Sequence, residues 1–481
     1  DANLNAINID KRGKSRLRFQ TNANFTKTND GNILGNIDIA DLIFENRDST
    51  SHIGNINLTS HSNDDVYKIR LRSQFADGSY TGTAPVTQFV KDIQNVTLRK
   101  ETPALFDDPE FAWSGNSYTF DFNSHDSMSL LSFIMPGMYI HNGTTISLSI
   151  DAEEDMHLSL NSKRIALGAD YIKDVSAVFG NQNNMFSGGF SVQELQFAGL
   201  SLYNNTLQLL ADDNHVGASY SYDNQSDMEN RGELVINADL SRENGRLDVD
   251  FNILPSMLYL NSREWKIQPS LISLKGKDIS VDSFEILGED QRIYASGSTS
   301  MTQKDTLTLS LDRFDISVLN PLLGSNLGLK GAATGNVMLT SPMHSRGLLA
   351  DMLCDSTYFA GEPLGTLRIG STWNGDFERF DISLFNDMAG KSNIKAVAKL
   401  TPESRMIDAR LTLDSLSITY AEPLLTDVFS EMNGYISGDI IAEGPLNMLE
   451  INSQGTRLDN AELKVAFTNV PYFADGLFHI D

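Results

Sequence analysis

Alternation with a period of two runs through the chain from end to end, and no other feature restricts its fold so much. In "DTLTLSLDRF" (305–314), Leu307, Leu309 and Leu311 alternate with Thr308, Ser310 and Asp312. Successive side chains of a strand point to opposite faces, so this segment carries leucines on one side and polar groups on the other. The same pattern recurs in "NIDIADLIF" (36–44), "TISLSID" (145–151), "MHLSLNS" (156–162), "LQFAGLSLY" (195–203), "RLDVDFNI" (246–253), "ISVDSFEI" (279–286) and "NIKAVAKL" (393–400). Between these runs lie "TNDGN", "SHSNDD", "GNQNN" and "YDNQSD", whose Asn, Asp, Gly and Ser side chains favour turns and positive φ. An all-β chain of antiparallel strands joined by short turns is the reading. Two segments suit a helix: 84–96, where Val86, Phe89, Val90 and Ile93 share a face, and 420–432.

The alternation is copied. "ARLTLDSLSITYAEPLL" (409–425) repeats the strand, its Ser-bearing continuation and the Pro-Leu-Leu of 305–323. Downstream of each, Gly331, Gly335 and Pro342 match Gly434, Gly438 and Pro445 at a constant offset of 103. A weaker copy places Gly143 against Gly331 at an offset of 188, so the period is irregular, unlike that of a β-helix or propeller. With no Pro-rich or Gly-Ser linker, the chain reads as one elongated repetitive body, residues 1–481, with units near 110–245, 246–345 and 346–481.

Composition excludes several kinds of function. Sixty-three acids against 37 bases give a formal charge of -26, which repels a phosphate backbone, so no nucleic acid is expected as partner. The single cysteine, Cys354, rules out an intrachain disulfide and a multi-cysteine metal centre. The spacings of phosphate-binding loops, zinc helices and hydrolase elbows do not occur, and His52, His125, His215 and His344 are scattered in polar segments. The clusters at Asp151, Glu153, Glu154 and Asp155 and at Asp212 and Asp213 lack the ordered alternation of a calcium loop and read as solvated turns. No catalytic residue, metal or cofactor is expected. The chain begins at Asp1 without a basic and apolar leader and has no apolar run of membrane-spanning length, which reads as an internal segment of a longer protein.

The segment "TLTLSLDRFDISVLNPLLGSNLGLKGAATGNVMLTSP", its copy "RLTLDSLSITYAEPLLTDVFSEMNGYISGDIIAEGP" and the closing "LDNAELKVAFTNVPYFADGLFHID" resemble the TamB family, the translocation and assembly module subunits of the AsmA-like superfamily. The preceding "REWKIQPSLISLKGKDISVDSFEILGEDQRIYASGS" is similar to the Trp-bearing strand pair that comes before such units, and the likeness is clearest over 246–481. It implies an elongated antiparallel sheet curled into an apolar groove (a β-taco) with few short helices, in a periplasmic, non-enzymatic protein whose parent is anchored in the inner membrane. It further implies carriage of phospholipid acyl chains toward the outer membrane and an outer-membrane assembly barrel of the TamA/BamA type as partner. The alternatives are a chaperone-like scaffold for outer-membrane proteins and a structural surface β-protein. Large aliphatics fill the inward positions even near the turns, and the copy repeats a one-sided face with no complementary unit, which favours an open groove over half of a sandwich core. The expected groove residues are Ile146, Leu148, Leu307, Leu309, Leu311, Val337, Leu339, Leu411, Leu413, Ile436 and Ile440.

Overall fold

A computed structural model of the chain describes residues 2–3, 15–27, 33–46, 50–63, 66–108, 110, 113–181, 185–197, 200–260, 262–300, 305–320, 328–340, 347–375, 378–446 and 448–479. Its strands follow the alternating runs, and the registers resolved between neighbouring strands are antiparallel. In several of the two-residue turns the backbone takes positive φ at both positions, as at Asp213 (43°) with Asn214 (67°) and at Asn244 (51°) with Gly245 (77°). That conformation matches the right-handed twist of the flanking strands and selects Asn, Asp and Gly. The "TNDGN" turn and Pro342 lie outside the described residues.

The chain divides into two compact units, residues 1–249 with 256–262, and residues 250–255 with 263–481. In the first, a continuous ladder of described strands runs from Arg16–Lys27 to Arg231–Glu243, whose start also pairs with Ser256–Leu260. Among the described residues two helical segments interrupt it. Val86–Gln94, continued by a π-type turn at Asn95–Arg99 and a 3-10 turn at Pro103–Leu105, lies between paired strands Ala76–Gly82 and Tyr118–Ser124. Met128–Ile134 lies between paired strands Tyr118–Ser124 and Thr145–Ile150.

The second unit contains the copied motif, and its two copies share a backbone. Strand Thr306–Asp315 bulges after Leu311, with Arg313 at φ 50°, and strand Met406–Ser417 bulges after Leu413, with Ser415 at φ 51°. Each bulge amide is satisfied by a hydroxyl on the next strand: Arg313 N–H donates to Thr334 Oγ1 at 3.0 Å and Ser415 N–H to Ser437 Oγ at 2.9 Å. A capped 3-10 turn follows each time. Asp315 accepts from Ser317 N–H ahead of Ile316–Leu319, and Ser417 accepts from Thr419 N–H ahead of Ile418–Leu424. The matched glycines explain themselves by close approach, since a Cβ on Gly335 would stand 2.1 Å from the Asp351 carbonyl oxygen and one on Gly438 would stand 2.6 Å from Thr456 Cα.

The helix expected over 420–432 is absent. Pro423 sits inside the 3-10 turn, lacks an N–H and blocks a longer helix, and from Phe429 the chain is already in the strand Phe429–Pro445.

Candidate functional site

Residues directly opposite each other in an antiparallel ladder share a face, so the registers map each face across the strands. In the second unit one row runs Ile267, Ile286, Ile293, Leu311, Gly335, Met352, Ile369, Leu384, Ala396, Leu411, Ile440. The adjacent row on the same face runs Ala295, Leu309, Val337, Ala350, Ser371, Ile382, Ala398, Ala409, Ala442, so the expectation of large aliphatics at the inward positions fails here, where most side chains are small. Leu307 opposite Leu339, Leu413 opposite Gly438, and Ile436 opposite Leu416 complete the set. All nine expected groove residues of this unit therefore lie on one face. The other face is polar at the same level: Ser310 stands opposite Asn336 and donates to its Oδ1 at 2.6 Å.

The first unit has an equivalent face. One row runs Ile69, Tyr80, Phe120, Leu148, Leu158, Phe179, Gly188, Leu209, Ala218, Ile236. Ile146 belongs to the neighbouring row, between Phe122 and Leu160.

These faces are unevenly covered. Leu309 is 38% exposed and Leu339 41%, whereas Leu413 is 6% and Leu148 8% exposed. Ile146, Leu307, Leu311, Val337, Leu411, Ile436 and Ile440 are half-buried. Buried apolar clusters form where a helical segment sits on the face. Ile316 packs on Ala333 and Cys354 beside Leu311, Met352 and Ile369, and Ile418 packs on Met432 and Ala461 beside Ile436 and Leu458. Phe133 of Met128–Ile134 meets Phe44 at 4.5 Å between ring centroids, next to Ile53. Phe89 and Val96 pack on Tyr80, Tyr118, Leu148, Ile150 and Met156. The members of each cluster come from sheet strands, their connecting residues and a helical segment, so among the described residues none of these clusters is the core of a sandwich. Leu148 thus stands beneath a helix, while Leu309 faces open space.

The longest of these covers is firmly tied. Asp92, 1% exposed, accepts from Tyr118 Oη at 2.6 Å, Ser114 Oγ at 2.7 Å, Gln88 Nε2 at 2.8 Å and Asn116 Nδ2 at 3.3 Å. Burial opposes its charge, but these four donors together hold its carboxyl below the usual carboxylate range. Farther along, Asn214 N–H donates to Glu101 O at 2.7 Å, Ala104 N–H to Asn214 Oδ1 at 2.8 Å, and Arg242 Nε to Ala104 O at 2.9 Å. Lys100 pairs with Glu154, and Arg242 with Asp107 at 2.6 Å. Glu101 is buried and its Oε1 has no hydrogen-bond partner among the described residues. Burial pushes its carboxyl up to about 7, Lys100 opposes that rise, and the Asp212 and Glu154 charges add to it.

Apart from Glu154, which was read as part of a solvated turn and is instead half-buried and paired with Lys100, the anchoring groups were not singled out from sequence. One signal was present: Asp92 falls between Phe89 and Val96 at helical spacing, which places a carboxylate on the apolar side of the segment. Among the described residues no group of three or more His, Cys, Asp or Glu is placed to hold a metal ion, and no helix is long and apolar enough to cross a membrane. The chain matches no family model, no curated protein and no solved structure.

Proposed function

We propose that the apolar face of the sheet carries phospholipid acyl chains, as a non-enzymatic periplasmic conduit of the TamB type. The observation that supports this best is the row from Ala295 to Ala442, which stays on one face over nine strands and is built mostly of small side chains. Larger residues flank it, Leu311, Met352, Ile369 and Leu384 on one side and Leu307, Leu339, Phe380 and Leu400 on the other. A contiguous exposed apolar surface is costly in water and marks a binding surface. Each methylene laid along it gains about 0.8 kcal/mol, so a sixteen-carbon tail recovers most of the cost of leaving a bilayer. No single contact dominates, and movement along the row is nearly isoenergetic. The strong negative charge keeps such a surface soluble. The inner-membrane anchor of a longer parent and an outer-membrane assembly barrel as partner belong to the same proposal.

Mass spectrometry of the purified chain after organic extraction tests this reading. Co-purifying phospholipid is expected, at a level that falls when Leu309 is changed to Asp. Lipid-free protein that also fails to take up a fluorescent sixteen-carbon fatty acid would overturn it.

A further inference from the structure

Beyond its apolar face, the second unit has a cleft of about 990 Å³, lined in part by charged side chains, at the strand ends beside the first 3-10 turn. Trp265, Gln291, Arg313, Asp315, Lys330 and Tyr358 are among the residues lining it. The volume is at the upper end of small-molecule sites. Both signs of charge meet here: Arg263 pairs with Asp315 at 3.0 Å and Arg313 with Asp290 at 2.8 Å. Tyr358 is 41% exposed and lies directly opposite Lys330 across the strands. Gln291 is 92% buried by contrast, 8% of it reaching solvent, and its Oε1 accepts the Asp315 amide at 2.8 Å. That leaves its Nε2 a donor without a protein partner among the described residues.

The second copy of the motif shows that the fold does not need these charges. It builds the same bulge, cap and 3-10 turn with Ser415 in place of Arg313 and Ser417 in place of Asp315. The cross-strand pair Lys330–Tyr358 becomes Asn433–Glu462. What the first copy adds to a shared backbone is therefore guanidinium, ammonium, carboxylate and an aromatic ring, gathered around one cavity.

We propose that this cleft binds a neutral saccharide. A sugar hydroxyl both donates and accepts, so adjacent hydroxyls satisfy cations and carboxylates together, in charge-assisted hydrogen bonds. The apolar face of a pyranose ring lies on an aromatic side chain such as Tyr358, whose body is apolar and whose tip is polar. An anion would meet Asp290, Asp315 and Asp355, since carboxylates outnumber cations in the lining, and an apolar ligand would strip water from charges it cannot satisfy. The proposal is independent of what occupies the apolar face.

Saturation-transfer NMR on the full chain, with maltohexaose and the tetramer of N-acetylglucosamine as probes, tests it, with affinities from calorimetry. At least one probe should receive saturation on its ring protons. Arg313→Ser and Lys330→Asn, which install the residues the second copy uses, should each weaken that probe at least tenfold while leaving the thermal midpoint unchanged. Tyr358→Ala should do the same. Should a variant lose its folded circular dichroism, the ring resonances of Tyr358 in the wild-type chain decide, because they must shift on probe addition. Absence of binding by both probes, unchanged affinity in the folded variants, or binding that leaves Tyr358 unshifted would overturn the assignment.

Discussion

A single carboxylate placed at each of two leucines of the same face should cost very different amounts of stability. Leu309 and Leu413 sit on matched strands, each a leucine in the alternating run before the bulge, yet 38% of Leu309 is exposed against 6% of Leu413. Burying a leucine fully is worth about 1.5–3 kcal/mol, so Leu309→Asp forfeits roughly 1–2 kcal/mol, and its carboxylate reaches water without further cost. Leu413→Asp forfeits nearly the whole value and also buries a carboxylate without a partner, for a total of about 4 kcal/mol or more. Urea unfolding of both variants at pH 7.5, followed by circular dichroism, measures the gap, expected at about 3 kcal/mol. Uptake of a fluorescent sixteen-carbon fatty acid should meanwhile fall sharply in Leu309→Asp, although that variant stays folded. Equal destabilisation at the two sites would mean that Leu309 is covered, and the open-face reasoning would be wrong.

Glu101 makes stability depend on pH in a definite direction. Its carboxyl holds a proton to about pH 7 when folded but titrates near the ordinary glutamate value when unfolded, so its contribution is complete below pH 4.5 and lost as pH rises to 7. Glu101→Gln should therefore gain about 2 kcal/mol at pH 8, after allowance for solvent screening, and almost nothing at pH 4.5; equal gains at both pH values would refute this. Arg242→Ala should release the end of the helical cover, costing about 1–3 kcal/mol and speeding amide exchange over residues 95–107, while exchange in 263–479 stays unchanged. Gly438→Ala drives a Cβ against the Thr456 backbone at a φ of 126°, and should lower the thermal midpoint of the second unit by several degrees.

The strands, their facing and the copied motif were legible in sequence because alternation is a local signal. Leu307, Leu309 and Leu311 announce a face by themselves, and the register only extends it to partners such as Val337 and Met352. What covers that face was not legible, since it depends on segments far apart in sequence. Leu148 and Leu309 look alike in their runs, yet Leu148 is buried in the cluster formed by Phe89 and Val96, more than fifty residues earlier. The bulges were hidden for another reason. Arg313 and Ser415 have nothing in common as residues, and positive φ at such positions is imposed by the pairing of Phe314 and Leu416 with the next strand. Only the hydroxyls of Thr334 and Ser437, one residue before the matched glycines, mark the bulge in both copies.

On the proposed lipid-carrying reading, the helical covers decide what kind of path the second unit would offer an acyl chain. Ile316 lies over the rows through Ala333 and Gly335, and its cluster takes in Leu311, Met352 and Ile369 but not Leu309, Val337 or Ala350. Ile418 likewise gathers Ile436 and Leu458 and leaves out Ile440 and Ala442. Each cover thus dries the strand-end side of the face and spares the small-residue row beside it. A cover placed across that row would divide the face into separate pockets, each long enough for only part of an acyl chain. Placed to one side, it does the opposite: it closes a flank against water and holds the neighbouring strands in register, while the lane from Ala295 to Ala442 continues past it. The whole device is copied 102 residues later, with Ile418 for Ile316, so the flank of the row is closed a second time. The polar residues around the device differ between the copies, Arg313, Asp315 and Lys330 against Ser415, Ser417 and Asn433, while Ile316 and Ile418 are alike.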